Sequence, residues 1–352
     1  MLSLRRYVTY TVSAGCILFL LSYIWQPSGS ASPGRSNGSD LDLEAFTNPT
    51  TGRLIWSKVP VRYPPKSLIA LPTASPSRLP KVQYDFPPET SAKNAERLER
   101  QAAIKTVFES CWKLYSDRAW MKDEVSPISG KFVSPFGGWA ATLVDSLDTL
   151  WIMGMKDDFV RAVDAVVEID LSQSTTMQIN VFETTIRHLG GLLAAYDLSG
   201  DKRLLEKARE FGDMLIVAFD TPNRMPITRW YPFESFRGPQ RADTNVLVAE
   251  IGSLTLEFTR LSLLTGDPKW YDAVMRIVEQ LEKQQSTTFL PGMWPVTIDA
   301  QHMNFASDSF FTLSAMSDSL YEYFPKVRDH TFRMTSYQRL RVQFEPRSLT
   351  SN

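Results

Sequence analysis

From Ser91 onward, apolar positions recur at helical spacing along most of the chain, and convincing alternating strands are absent. The first stretch, 91–118, places Ala103, Val107, Cys111 and Leu114 on one helix face. Further helices are predicted at 139–153, 157–169, 180–198, 201–218, 244–265, 268–284 and 307–324. Before Thr90 the texture differs. Residues 26–90 hold half of the chain's 22 prolines and many serines, so an extended stem is predicted there.

The helices come in pairs joined by a repeated turn. Leu198-Ser199-Gly200-Asp201 leads into Leu204, Leu205 and Ala208, and Leu264-Thr265-Gly266-Asp267 leads into Trp270, Tyr271 and Ala273. A weaker copy, Met153-Gly154-Met155-Lys156-Asp157, precedes Phe159 and Ala162. In each, glycine supplies the left-handed residue that ends one helix, and the aspartate is placed to cap the next. A period near 66 residues with two helices per unit predicts stacked or circular αα-hairpins. Three acids follow the period: Glu183, Glu250 and Asp318 lie 67 and 68 residues apart. A toroid of hairpins would aim one carboxylate per turn at a shared cavity, and converging carboxylates are the machinery of glycoside hydrolysis.

Composition narrows the field. The 352 residues carry a net charge of −1, which argues against a nucleic-acid partner. Two cysteines, Cys16 and Cys111, allow neither a disulfide framework nor a cysteine-based zinc site, and His188, His302 and His330 are too scattered for a metal cluster. Residues 7–25 form an uncharged apolar run behind Arg5 and Arg6. That predicts a transmembrane signal anchor with a short cytoplasmic tail, 1–6, and the rest in the lumen. A cleaved signal peptide is the competing reading, with Ser28-Gly29-Ser30-Ala31-Ser32 as its cleavage region. Asn37-Gly38-Ser39 is a usable glycosylation sequon.

Glu183 and Arg187 are spaced i,i+4 and share a helix face, amid Phe182, Ile186 and Leu189 and just before Gly190-Gly191. A solvent-exposed ion pair is the plain reading. A carboxyl in apolar surroundings, suited to general-acid work, is the functional one. Asp145 and Asp148 sit three apart in an apolar helix, where bridging a neighbouring helix end competes with catalysis. Asp123-Glu124 adds further acids, while Trp112, Trp120, Trp139 and Trp151 are either core residues or platforms for sugars.

Three stretches resemble one family: Thr142 to Gly154 (TLVDSLDTLWIMG), Phe182 to Leu193 (FETTIRHLGGLL) and Ser317 to Tyr323 (SDSLYEY), with the Leu198-Ser199-Gly200-Asp201 turn. From about Val107 to Lys326 the chain resembles the class I α-mannosidases, glycoside hydrolase family 47. The resemblance implies an (αα)7 barrel and removal of α1,2-linked mannose from high-mannose N-glycans of glycoproteins, with inversion, in the lumen of the endoplasmic reticulum or Golgi. It also implies a calcium ion at the barrel floor. Carried over by position, Glu183 is the proton donor, Asp318 the acid that positions or activates water, Glu250 a substrate-contacting glutamate and Arg187 the arginine that orients the site. Met316, two residues before Asp318, leans toward broader, Golgi-like trimming.

The resemblance stops after Lys326. The tail 327–352 is rich in Arg, Ser and Thr and lacks the family's later acidic motifs and its calcium-binding threonine. The expected layout is therefore tail 1–6, anchor 7–25, stem 26–90, the N-terminal part of an incomplete barrel at 91–326, and a non-homologous tail 327–352. A ring lacking about half its hairpins leaves apolar faces open, so this chain as written is expected to be poorly folded and inactive. Two alternatives are a non-catalytic mannose-glycan-binding relative in glycoprotein quality control and a protein-binding αα scaffold.

Overall fold

The structure is a computed structural model that describes residues 43–73, 81 and 83–331, with side chains to Val327. Among these residues the helices are α1 Ser91–Arg118, α2 Ala141–Asp145, α3 Leu147–Ile152, α4 Lys156–Val166, α5 Val181–Thr184, α6 Gly190–Ser199, α7 Lys202–Leu215, α8 Val248–Gly252, α9 Thr255–Thr265, α10 Lys269–Gln284 and α11 Asp318–Thr331. They form a two-layered row of helix pairs. In one layer α3 packs on α6, α6 on α9 and α9 on α11, and in the other α4, α7 and α10 cover α3, α6 and α9.

The joints follow the predicted chemistry. Gly200 and Gly266 take left-handed φ values of 74° and 75° and end α6 and α9. Asp201 then caps α7, accepting from the Arg203 amide at 3.0 Å, whereas Asp267 stands one residue before the N-cap Pro268 of α10 and accepts from the Lys269 amide at 3.0 Å. At the weaker copy Gly154 is also left-handed, but no side chain caps α4. The seam between the layers is apolar. Leu204, Ala208, Phe211 and Leu215 of α7 and Trp270, Val274, Ile277 and Leu281 of α10 are buried at helical spacing.

The all-α expectation holds coarsely, since the molecule is helix-rich. Three antiparallel pairs of two-residue strands accompany the helices: β1 Glu124–Val125 with β2 Phe132–Val133, β3 Ile179–Asn180 with β4 Arg229–Trp230, and β5 Val246–Leu247 with β6 Thr297–Ile298. Among the described residues no closed barrel forms, and no helix is long and apolar enough to cross a membrane. The anchor expected at 7–25 and the tail 1–6 lie outside the described residues.

Four expectations need correction. The helix expected at 307–324 begins only at Asp318, because Asp308 and Thr312 bond nearby backbone amides and hold the preceding segment in turns. It then passes Lys326, the boundary drawn from sequence, and runs to Thr331. The helix expected at 244–265 is β5, α8 and α9, interrupted at Ser253–Leu254. In α1 the buried face is Trp112 and Tyr115, while Val107, Cys111 and Leu114 are exposed. The aromatics win because each also finds a polar partner: Trp112 Nε1 donates to Asp158 at 2.9 Å and the Tyr115 hydroxyl to the Lys122 carbonyl at 2.8 Å.

The fourth correction concerns the stem. Residues 43–71 are extended but packed on the helices. Trp56 is buried among Trp230, Phe233 and Phe236, and donates through Nε1 to the Leu171 carbonyl at 3.1 Å. Asp220 accepts the Arg62 and Tyr63 amides, both at 2.8 Å, and Asp272 accepts the Ile69 amide at 2.9 Å.

Candidate active site

The site is assembled from two copies of one local design. A two-residue strand runs straight into a helix, and the third residue of that helix is an acid: β3 then Glu183 in α5, β5 then Glu250 in α8. Asn180 caps α5, its Oδ1 accepting the Glu183 amide at 3.2 Å. Asn180 followed three residues later by Glu183 is a capping-box spacing, and was legible in the sequence. The glutamate side chain does not reach back to complete the box; it turns to Arg187.

Arg187 is the hub. Its Nε donates to Glu183 Oε2 at 2.7 Å, its Nη1 donates to Asp145 Oδ2 at 3.2 Å, and its guanidinium lies 4.7 Å from the centre of the Phe136 ring. The five residues Thr185–Leu189 form a π-helical turn. Such a widened turn inside a helix is frequent at functional sites. Immediately behind it, Gly191 lets the helix approach α2, where a Cβ would stand 3.0 Å from the Val144 carbonyl oxygen.

Burial pushes the Asp145 carboxyl up, with Arg187 pulling the other way. Burial likewise raises Glu250, against the opposing effect of the Arg229 guanidinium. Glu250 is the deeper acid: its side chain is 9 % exposed against 27 % for Glu183. Glu183 itself is partly exposed and bound by an arginine, rather than set in the apolar pocket that its neighbours in sequence suggested. His188, next along, is wholly buried, stacks on Phe211, and is pushed down by burial to about 3, so it is neutral.

The structure brings Glu183, Arg187 and Asp145 into contact and joins them to Glu250 through Asn180, whose Nδ2 donates to Glu250 Oε1 at 3.4 Å. Asp318 stands apart. It is exposed at the first position of α11 and accepts the amide of its neighbour Ser319 at 2.9 Å. It reaches the site through the backbone, where α11 packs on α8 and the Ala249 amide donates to the Met316 carbonyl at 3.1 Å. Met316 adopts a left-handed φ of 75°, a strained conformation for this side chain beside the site.

Other sequence candidates have structural roles. Asp123 is fully buried and accepts the amides of Phe136, Gly138 and Ala141, fixing the loop that carries Phe136. Trp112 and Trp139 are core residues. Trp120 and Trp151 pack against that core with Arg161 and Lys156 over their rings, which leaves them unsuited to stacking on sugars. Among the described residues no group of three or more His, Cys, Asp or Glu could hold a metal ion. Calcium also takes backbone carbonyls, hydroxyls and water as ligands, so the calcium expectation rests on the resemblance alone. Sequence reasoning missed Arg229 and Asn180 as partners of Glu250. No local spacing could reveal Arg229, since its strand pairs with β3 and not with β5, and it meets Glu250 only through tertiary packing.

Comparison with known proteins identifies the family. The signature of Glycosyl hydrolase family 47 matches residues 107–341. The chain belongs to glycosyl hydrolase family 47. It is 38% identical over 257 residues to the endoplasmic reticulum mannosyl-oligosaccharide 1,2-alpha-mannosidase of Homo sapiens, covering 72% of this chain and 36% of that protein. It is 34% identical over 264 residues to the mannosyl-oligosaccharide alpha-1,2-mannosidase of Coccidioides posadasii, covering 71% of this chain and 50% of that protein. The solved alpha-1,2-mannosidase from Trichoderma reesei superposes with a TM-score of 0.60 at 30% identity, covering 70% of this chain and 53% of that one. The chain thus spans about a third to a half of the length of these family members, and the matched signature extends beyond Lys326.

Proposed function

We propose that this chain carries the proton-donor side of an α1,2-mannosidase site that trims high-mannose N-glycans with inversion. The observation that carries the reading is Arg187 bound at once to Glu183 and Asp145, with Glu250 joined through Asn180. Inversion needs an acid at the leaving oxygen and a carboxylate that activates water on the opposite face. Glu183 is the acid, and Arg187 orients it and disperses the charge left when the proton departs. Glu250 holds a substrate hydroxyl. Asp318, exposed at the start of α11, positions the water.

The remaining expectations belong to the same reading. The helix pairs are a segment of an (αα)7 barrel, residues 7–25 are a membrane anchor, and the site faces the lumen of the secretory pathway. Within the expected layout, 26–90 includes a strap that is part of the folded unit. Calcium rests on the resemblance, and no step here runs through it.

The deciding experiment compares the chain with its Glu183→Gln variant for glycan binding and for mannose release. The reading expects both to bind a high-mannose N-glycan, with any release shown by the unaltered chain lower by at least about a hundredfold in the variant. Binding without release by the unaltered chain turns the reading to the non-catalytic relative and agrees with the inactivity expected from sequence. If neither binds, the mannosidase reading is wrong.

A further inference from the structure

Arg229 is absorbed by none of the roles above, yet it is built into the site. It lies opposite Asn180 in the β3–β4 register, and opposite residues of an antiparallel pair project from the same face. Both converge on one oxygen: Arg229 Nη2 donates to Glu250 Oε1 at 2.5 Å and Asn180 Nδ2 donates to it at 3.4 Å. The strand end is held from outside, Gln178 Nε2 donating to the Arg229 carbonyl at 3.2 Å.

The contact is incomplete in an informative way. An arginine and a carboxylate commonly pair through two parallel hydrogen bonds. Here Glu250 Oε2 accepts from no described residue, and Arg229 Nε and Nη1 donate to none. The Arg229 side chain is 44% exposed while that of Glu250 is 9% exposed, so the free N–H groups reach solvent beside a nearly buried free oxygen. A hydroxyl both donates and accepts, whereas a carboxylate only accepts and a guanidinium only donates. The two open ends together match two neighbouring hydroxyls of a sugar ring.

We propose that Arg229 is a substrate-binding residue that sets specificity, forming with Glu250 a fork that grips adjacent hydroxyls of one mannose unit. This rests on the mannosidase reading, and it makes a residue outside every quoted motif responsible for which glycan is held.

The test is calorimetric titration of the 352-residue chain, and of Arg229→Gln, Arg229→Lys, Glu250→Gln and the Arg229→Gln/Glu250→Gln double variant, with a high-mannose N-glycan. Each protein's melting temperature is recorded. Arg229→Gln is expected to weaken binding about tenfold or more, and Arg229→Lys, which keeps a cation beside Glu250, to recover the melting temperature and part of the affinity. The double variant is expected to bind no more weakly than the sum of the singles allows, and less weakly if the fork acts as a unit. Wild-type affinity in Arg229→Gln would overturn the assignment and leave the mannosidase reading intact. Absence of binding by the unaltered chain would overturn both. A fall in affinity matched by a fall in melting temperature, unrelieved by lysine, would make Arg229 structural.

Discussion

Residues 179–200 and 246–266 are two readings of one plan. Each begins with a two-residue strand, places an acid at the third helical residue, interrupts the helix soon after, and ends on a left-handed glycine. They differ in how the acid is held. Glu183 takes its cation from its own helix, four residues on, whereas the position four after Glu250 is Leu254, fully buried. Glu250 must therefore borrow Arg229 from a neighbouring strand. The interruption differs as well: a π-helical turn keeps the first helix continuous, while Ser253–Leu254 splits the second into α8 and α9. One design thus yields a partly exposed, arginine-orientated acid and a nearly buried one suited to gripping a hydroxyl.

The sharpest test of this contrast swaps the outcomes at positions 187 and 254. Leu254→Ala is expected to cost about 2–5 kcal/mol of stability through the cavity it leaves, seen in urea unfolding, with glycan affinity of the folded fraction unchanged. Arg187→Met is expected to do the reverse. Melting should move little, because the side chain is 36% exposed, and glycan binding or turnover should fall tenfold or more. If both variants lose stability alike, the two positions are not functionally distinct.

A second difference lies where Gly190 of the first copy touches Glu257 of the second. A Cβ on Gly190 would meet Glu257 Cγ at 3.5 Å, an ordinary contact, so the two helices approach closely there without requiring glycine. Glu257 Oε1 accepts from the Tyr323 hydroxyl at 2.9 Å, Oε2 is buried without a partner among the described residues, and burial raises the group to about 7 against the opposing hydrogen bonds and Lys326. Between pH 4.5 and about 7 the folded carboxyl keeps a proton that the unfolded one has released. Its contribution to stability is full below 4.5 and declines as pH rises through about 7. Denaturant unfolding at intervals across that window should show a loss of roughly 1–3 kcal/mol toward neutral pH, and Glu257→Gln should flatten it. A slope that persists in the variant belongs to other groups.

The smallest expected effect concerns what the copies share. Among the described residues, alanine at Gly200 or Gly266 meets no atom within 4 Å, so the left-handed backbone is what resists it. Each substitution should cost about 1 kcal/mol, and the two should agree within a few tenths. Unequal costs would mean that the turns only look alike.

Much of the fold was legible because it is local. The helix pairs, their glycine ends and the Asp201 cap depend on contacts within a few residues. The Glu183–Arg187 pair was legible for the same reason, since four residues along a helix is a fixed distance. Spacing between Glu183 and Glu250 was legible as a repeat, and the structure places both at the third residue of their helices. Asp318 shares the spacing without the setting, for it opens its helix and stays exposed.

The misreadings share a cause. Periodicity marked Val107, Cys111 and Leu114 as the inner face of α1, but Asp158 and the Lys122 carbonyl turn Trp112 and Tyr115 inward instead. Proline content marked 43–71 as free stem, but Asp220 and Asp272 lie more than a hundred residues away and hold it down. Local periodicity, capping and i,i+4 pairing were determined by the sequence alone, because the backbone sets those distances. Which face is buried, which strap docks and which cation reaches Glu250 were decided only by the tertiary structure. Those partners are far apart in the chain, and packing alone brings them within hydrogen-bonding range.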